Sequence, residues 1–262
     1  MSPEQLDERM SILASSGRPI LPLNEATERL KDGSLPPGSV SVTIDDGWAS
    51  TPLMWEIMRQ HKIPATVYMT TWYMKRNIPI IRKALEFLRT ASPHFMLPPK
   101  FKQMPKLAKV DALKKASIDA DVPLDSFEGR QFHLMTADET IRVARDGLDI
   151  QLHTHRHSMK MNIENEISVN RAALIDIGLD PNSLHHFCYP SGAHRPDAED
   201  ALKKWGIRTA TTCVSGLASE TSNFYALPRF LDGRSVSTAE FEGFLSGFVP
   251  VADRIRSAIF RY

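Results

Sequence analysis

Two short stretches carry side chains that could act together. In SVTIDDGWAS, residues 41–50, Val42 and Ile44 read as buried strand residues, and two carboxylates, Asp45 and Asp46, follow side by side before Gly47. Adjacent carboxylates repel, so something elsewhere in the chain must make the pair useful. In LDIQLHTHRH, residues 148–157, a strand-like run passes into three of the chain's nine histidines within five residues. His153 and His157 are four apart, so on a helix, or on a tight turn after a strand, both can face one ion. Neutral imidazole is a common nitrogen ligand for zinc, and three protein ligands with an open position describe a catalytic rather than a structural site. The third ligand must come from another strand end, and the Asp45–Asp46 pair stands at one. One aspartate would bind a divalent cation, which offsets the repulsion. The other would stay beside the water held there and act as a base. Such a cation lowers the pKa of water from about 15.7 towards about 7.

Either stretch alone is a weak signal, since a DDG triplet is common in turns and an HxxxH pair is common without metal. Their weight comes from position. Val40–Ile44 reads as a strand after the LPPG turn, a helix follows over Leu53–Met58 and ends near His61, and ATVYMT at 65–70 reads as the next strand. Strand, short loop, helix, strand is the unit of a parallel α/β sheet. It recurs in the helix ADETIRVARDG with its terminal Gly147, the strand 148–152, a helix over 165–177, the strand 185–189, the helix DAEDALKKWG and the strand 207–211. A last strand is expected over 224–231 and a final amphipathic helix from Thr238 to Phe248. At the start, Ser2 and Pro3 predict a helix N-terminus with Leu6, Met10 and Leu13 on one face, and a second helix covers Asn24–Leu30. In such sheets the carboxyl ends of the strands carry the chemistry.

Residues 75–130 break this rhythm. From Lys75 to Ala116 there are eleven Lys or Arg against two acids, with prolines at 79, 93, 98, 99 and 105. The segment is too long for a βα connection. It reads as a mostly helical insertion, either a solvated basic surface or a cap that favours anionic substrates. The rest of the 262 residues reads as a single domain, 42% hydrophobic and 24% charged, with a formal charge of +1. That balance gives no global field to draw nucleic acid or membrane. Cys188 and Cys213 form no CxxC pair, which excludes a disulfide scaffold. There is no apolar run of about 18 residues, so no membrane span is expected, and the opening MSPEQLDERM lacks a signal-peptide pattern, so a cytoplasmic chain is expected.

The motifs resemble those of NodB-type polysaccharide deacetylases, carbohydrate esterase family 4. T-I-D-D-G at 43–47 resembles that family's T-F-D-D-G, H-T-H-R-H at 153–157 matches its H-[S/T]-x-x-H, and F-C-Y-P-S-G at 187–192 resembles its third motif. The resemblance covers roughly residues 35–231. It implies a distorted (β/α)7 barrel and a metal-dependent hydrolase that removes acetyl groups from an N- or O-acetylated saccharide. It also implies roles: Asp45 as general base, and Asp46, His153 and His157 as ligands of a divalent metal, usually zinc. Thr154 would shape the loop, and a backbone N–H in the 189–192 turn would face the oxyanion. Trp48, Tyr189, Pro190, Ser191 and Arg229 are expected to contact substrate.

Two departures stand out. Relatives carry an arginine in the third motif that holds the base, where this chain has Cys188, so Arg195 or Arg229 must substitute. The final Leu-x-His that supplies the acid has no match in ALPRFLDGR, so His194 becomes the first candidate for that role. These departures keep open a barrel that binds saccharide without turnover, and the unmatched basic insertion keeps open a metal-dependent amide hydrolase acting on a non-sugar substrate.

Overall fold

The computed structural model describes residues 1–92, 94–122 and 129–248. Helix α1, Pro3–Ser15, starts where Ser2 Oγ accepts from Gln5 N at 3.2 Å, and it buries Leu6, Met10 and Leu13. Helix α2, Leu23–Asp32, stops at Gly33, whose φ of 77° a side chain would strain. Strand β1, Val42–Asp46, helix α3, Thr51–Gln60, and strand β2, Ala65–Met69, form the first βαβ unit. After the insertion come α6, Ala137–Arg145, with a full Thr136–Glu139 capping box, and β3, Asp149–Leu152. Next are α7, Ile163–Asp176, β4, His186–Cys188, α8, Pro196–Lys204, β5, Thr209–Thr211, and α9, Thr238–Leu245. Among the described residues no helix is long and apolar enough to cross a membrane.

All five strands are parallel and lie side by side in chain order, curling into part of a barrel with helices outside. Two isolated bridges extend the sheet at its edges, Ile20 beside Val40 and Leu227 beside Thr211. The expected strand over 224–231 is therefore a single bridge with an extended chain, because its bonds to β5 stop after Leu227 and Arg229 turns inward. Strand β1 also runs further than expected. Asp45 and Asp46 pair in register with Tyr68 and Met69, so both belong to the strand itself.

Period-two alternation gives the curled sheet two unlike faces. Ile44, Val67, Met69, Ile150, Leu152, Phe187 and Ala210 face the helices and form the main core. The other face carries Thr43, Asp45, Thr66, Tyr68, Asp149, Gln151, His186, Cys188, Thr209 and Thr211. Strands β3 and β4 share only the Leu152–Phe187 register, and the Gln151 side chain replaces missing ladder bonds: its Oε1 accepts from the backbone N of His185 (2.9 Å) and His186 (2.8 Å).

The insertion is helical, as expected, with α4, Ile81–Ala91, packed on α5, Lys106–Asp119. It has a small core of its own: Ala84, Leu88, Phe101, Leu113, Val122 and Phe132. Its return segment lies antiparallel to the loop after the aspartates. Ala49 N donates to His133 O (2.9 Å) and Met135 N to Gly47 O (2.8 Å).

Candidate active site

The end of β1 sets the first half of the site. Asp46 has φ 70°, a left-handed conformation that Asp tolerates better than most residues, and Gly47 follows at φ 77°. A Cβ on Gly47 would lie 2.0 Å from Met69 Sδ, so the third letter of DDG is fixed by packing as well as by backbone. His153, just past β3, is buried, and its Nε2 lies 3.2 Å from Asp46 Oδ1. The chain then turns tightly, with Thr154 at φ 64° and His157 at φ 53°, and Thr154 Oγ1 accepts from Ser158 N. This brings His157 Nε2 to 3.1 Å from the same Asp46 oxygen. His155 goes elsewhere: its Nδ1 meets Thr71 Oγ1 at 2.9 Å, and burial, then Arg156, push its pKa down to about 4.

These contacts form a donor set suited to a divalent ion. His153 Nδ1 donates to the Cys188 carbonyl at 2.7 Å, which leaves an unprotonated Nε2 facing a carboxylate oxygen, acceptor against acceptor. A cation or an extra proton between them resolves that conflict. Burial works against the charged forms, yet Asp46 is held well below the ordinary carboxylate range by His153 and His157. His153 in turn is held above the ordinary histidine value by Cys188, Asp46 and Asp45. Asp46, His153 and His157 offer one oxygen and two nitrogens within 4.8 Å of one another, the type and number that zinc takes with one position left open. Asp45, His153 and Cys188 also converge, but Arg229 takes both Asp45 oxygens and the Cys188 sulfur, so that group is not free to bind a metal.

Asp45 is held differently from its neighbour. Arg229 Nη1 donates to Asp45 Oδ1 and Nη2 to Oδ2, both at 2.8 Å, the two-pronged geometry of guanidinium and carboxylate. The same guanidinium reaches Thr43 Oγ1, the Thr212 carbonyl and Cys188 Sγ. It thus ties the last extended segment across to β1. Burial raises the Asp45 pKa, but Arg229 more than reverses this and keeps it below the usual value.

Residues 32–210 match the family profile described as Polysaccharide deacetylase. The chain belongs to that family. Removal of an acetyl group from a sugar is the reaction that membership supports. A search of curated proteins returned no match. Among solved structures, the Streptococcus pyogenes deacetylase PplD in complex with acetate is similar, with TM-score 0.65, 15% identity, and coverage of 93% of this chain and 86% of that one. A de-N-acetylase from Aggregatibacter actinomycetemcomitans gives TM-score 0.62, 13% identity and coverage of 93% and 89%. IcaB from Ammonifex degensii gives 0.61, 15%, and 94% and 88%. At these identities the likeness concerns the fold.

The remaining candidate residues of this deacetylase fall in several places. Arg229, expected at the substrate, is spent on Asp45, while Arg195 pairs with Asp197. His194 Nε2 lies 3.0 Å from Glu199 Oε1 and its ring packs on Tyr189; among the described residues no contact joins it to Asp45, Asp46, His153 or His157. Tyr189 is fully buried between Phe187 and His194, and Pro190 is buried, so neither side chain lines an open cleft. Ser191 is exposed, at φ 56°. Trp48 is half-buried and donates its indole N–H to Asp46 Oδ2 at 3.1 Å.

Two residues of α7 complete the support without having been singled out from sequence. Asn170 Oδ1 accepts from His153 N (3.0 Å), and its Nδ2 donates to Met69 O and Thr71 Oγ1 (3.0 Å each). Glu166 accepts from Arg156 N (2.7 Å) and pairs with the Arg156 guanidinium. Both are fully buried. Their signal was present as two polar interruptions on the otherwise apolar stripe Ile163, Ile167, Ala173 and Leu174.

Proposed function

We propose that this deacetylase hydrolyses the N-acetyl group of a saccharide, with Asp46, His153 and His157 holding a divalent ion, zinc in the first instance, and Asp45 acting as general base. The observation that carries this reading is the Arg229–Asp45 clamp standing beside the convergent Asp46, His153 and His157. When bound, a divalent ion supplies positive charge that polarises an acyl carbonyl and acidifies water.

The protein's own groups do the rest. Arg229 fixes Asp45 in its ionised form while occupying one lone pair on each oxygen, so each oxygen keeps another to accept a proton from the attacking water. His153 Nδ1–H donates to the Cys188 carbonyl throughout, which keeps the ring in one tautomer. In the 189–192 turn, Tyr189 N and Gly192 N are already bonded and Pro190 has no N–H. Ser191 N–H has no internal acceptor among the described residues, and it becomes the backbone donor for the oxyanion. With His194 bound to Glu199, the protonated Asp45 is the group that returns its proton to the leaving amine as the C–N bond breaks and acetate forms.

The absent third-motif arginine and the absent Leu-x-His were the reasons to consider a binding-only barrel; Arg229 meets Asp45 from another segment, and Asp45 as proton donor answers the second. The test is acetate release from N-acetylated oligosaccharides by protein loaded with zinc or cobalt, with Asp46→Ala as the metal-free control in elemental analysis. No acetate from any such substrate, or full metal retention by Asp46→Ala, overturns the assignment.

A further inference from the structure

Trp72 lies three residues past Met69, the β2 position in register with Asp46, where the chain turns. Its backbone N donates to the carbonyl of His155, the middle histidine of the HTHRH turn, at 2.7 Å. The indole is nearly buried, and two cations cover it: Arg76 Cζ is 4.2 Å and Lys106 Nζ 3.6 Å from the ring centroid. Arg76 comes from the start of the insertion and Lys106 from the first residue of α5. Neighbouring cations are neutralised, Lys75 by Asp176 and Arg156 by Glu166. Among the described residues, Arg76 and Lys106 meet no carboxylate, and the first turn of α5 carries no acid. Attraction to a shared ring holds the two charges together against their repulsion, and Glu166, which pairs with Arg156, offsets that repulsion only in part. Burial first, then Arg156, Arg76 and Lys109, lower the Lys106 pKa, and Glu166 opposes them without reversing the shift. Both side chains remain exposed enough to reach a ligand.

We propose that Arg76 and Lys106 form an oxyanion subsite that binds a carboxylate or phosphate on a sugar unit next to the acetylated one, so the substrate is an anionic saccharide. This rests on the deacetylase reading for its orientation, but not for its test. The test is calorimetric binding to metal-stripped protein of three oligomers of equal length: N-acetylglucosamine alone, N-acetylglucosamine alternating with glucuronate, and N-acetylglucosamine linked by phosphodiesters. One anionic oligomer should bind about ten-fold tighter than the neutral one at low salt, with the preference shrinking as salt screens the charges. Which anionic oligomer wins identifies the group read. Lys106→Met keeps cover on the indole and should lower the anionic-to-neutral ratio about five-fold. Adding Arg76→Gln should abolish the preference, and Lys106→Arg should retain it. Equal binding of neutral and anionic oligomers, or a double variant that leaves the ratio unchanged, overturns the proposal. A preference without hydrolysis of any oligomer by the metal-loaded protein would uphold the subsite and remove the deacetylase reading instead.

Discussion

The polar lining of the barrel has two ends built on the same strands, and they treat charge in opposite ways. At the carboxyl end, Asp45 is met by a guanidinium and Asp46 by two imidazoles, and both are held below the ordinary carboxylate range. At the other end, Asp149 is met by neutral donors, Thr66 Oγ1 at 2.8 Å and Gln151 Nε2 at 2.7 Å, and burial raises its pKa. His186 follows the same rule. Its Nδ1 meets Thr209 Oγ1 at 2.7 Å, its Nε2 has no partner among the described residues, and burial, then His185 and Arg208, push its pKa down to about 3. Asp and His thus occur at both ends of one face. Where counter-charges converge the carboxylates are held ionised for chemistry; where only neutral partners are supplied, burial favours the neutral forms of Asp149 and His186 and they serve the sheet.

The contrast is broken most severely at Asp45. Asp45→Asn should cost roughly 100-fold or more in rate, the scale of a positioned base. It also leaves Arg229 without its counter-charge. A fully buried pair broken in this way loses about 3–5 kcal/mol, but the Asp45 side chain is 32% exposed, so about 2 kcal/mol is expected in urea unfolding. Metal content should stay as in the parent, because Asp46, His153 and His157 are untouched. An unchanged rate would remove Asp45 from the reaction. Next in size is Asn170→Ala, which frees the backbone of His153 from Met69 and Thr71. Zinc affinity, read by chelator competition, should fall about ten-fold, the effect of losing a group that orients a ligand. Unaltered affinity would mean that β3 alone positions His153.

How much of this could be read beforehand follows the distance over which each feature acts. Asp45, Asp46, His153 and His157 sit in short strings whose spacing and strand context are local. Arg229 was legible as one of two candidates to hold Asp45, but the choice between it and Arg195 was not, because 184 residues separate Arg229 from Asp45 and only the closing of the curl brings them together. The helices were read well because caps and apolar periods are local. The expected strand at 224–231 failed because its composition suits a strand, but among the described residues Leu227 alone forms a bridge to β5, while Phe224 and Arg229 make single backbone bonds on either side. Tyr189 was misread for a related reason. Its place in a motif suggested a surface role, whereas its ring is wedged between Phe187 and His194.

A smaller effect tests the neutral end through pH. The folded-state pKa of His186, about 3, lies below the unfolded value of about 6.5. The unfolded chain therefore takes up the proton first. Stability is full above about pH 6.5 and falls as pH drops towards 3, by up to about 1.4 kcal/mol per pH unit from this group. His186→Gln keeps a partner for Thr209 and cannot titrate. Its urea midpoint should fall less steeply than the parent's between about pH 6.5 and 4.5. Parallel curves would show that His186 takes up its proton in the native state as readily as in the unfolded chain.

The smallest expected effect has the opposite sign to the largest, although the substitution is the same. Burial raises the pKa of Asp149 above its unfolded value, so the folded chain prefers the neutral acid. As pH rises from the unfolded value through the raised one, stability falls, and at neutral pH the ionised carboxylate is a standing cost. In Asp149→Asn, Oδ1 can still accept from Gln151 Nε2, while the new amide donates to Thr66 Oγ1, whose hydroxyl rotates to accept. A neutral group then fills the same space with its hydrogen bonds kept. A gain of about 1 kcal/mol is expected, seen as a rise in Tm of about 2–4 °C for a chain of this size. The gain should vanish below about pH 4, where the parent residue is protonated too. A loss of stability at neutral pH would mean that Asp149 is stabilised as an anion, and the two ends of the barrel would then differ in their partners but not in how they handle charge.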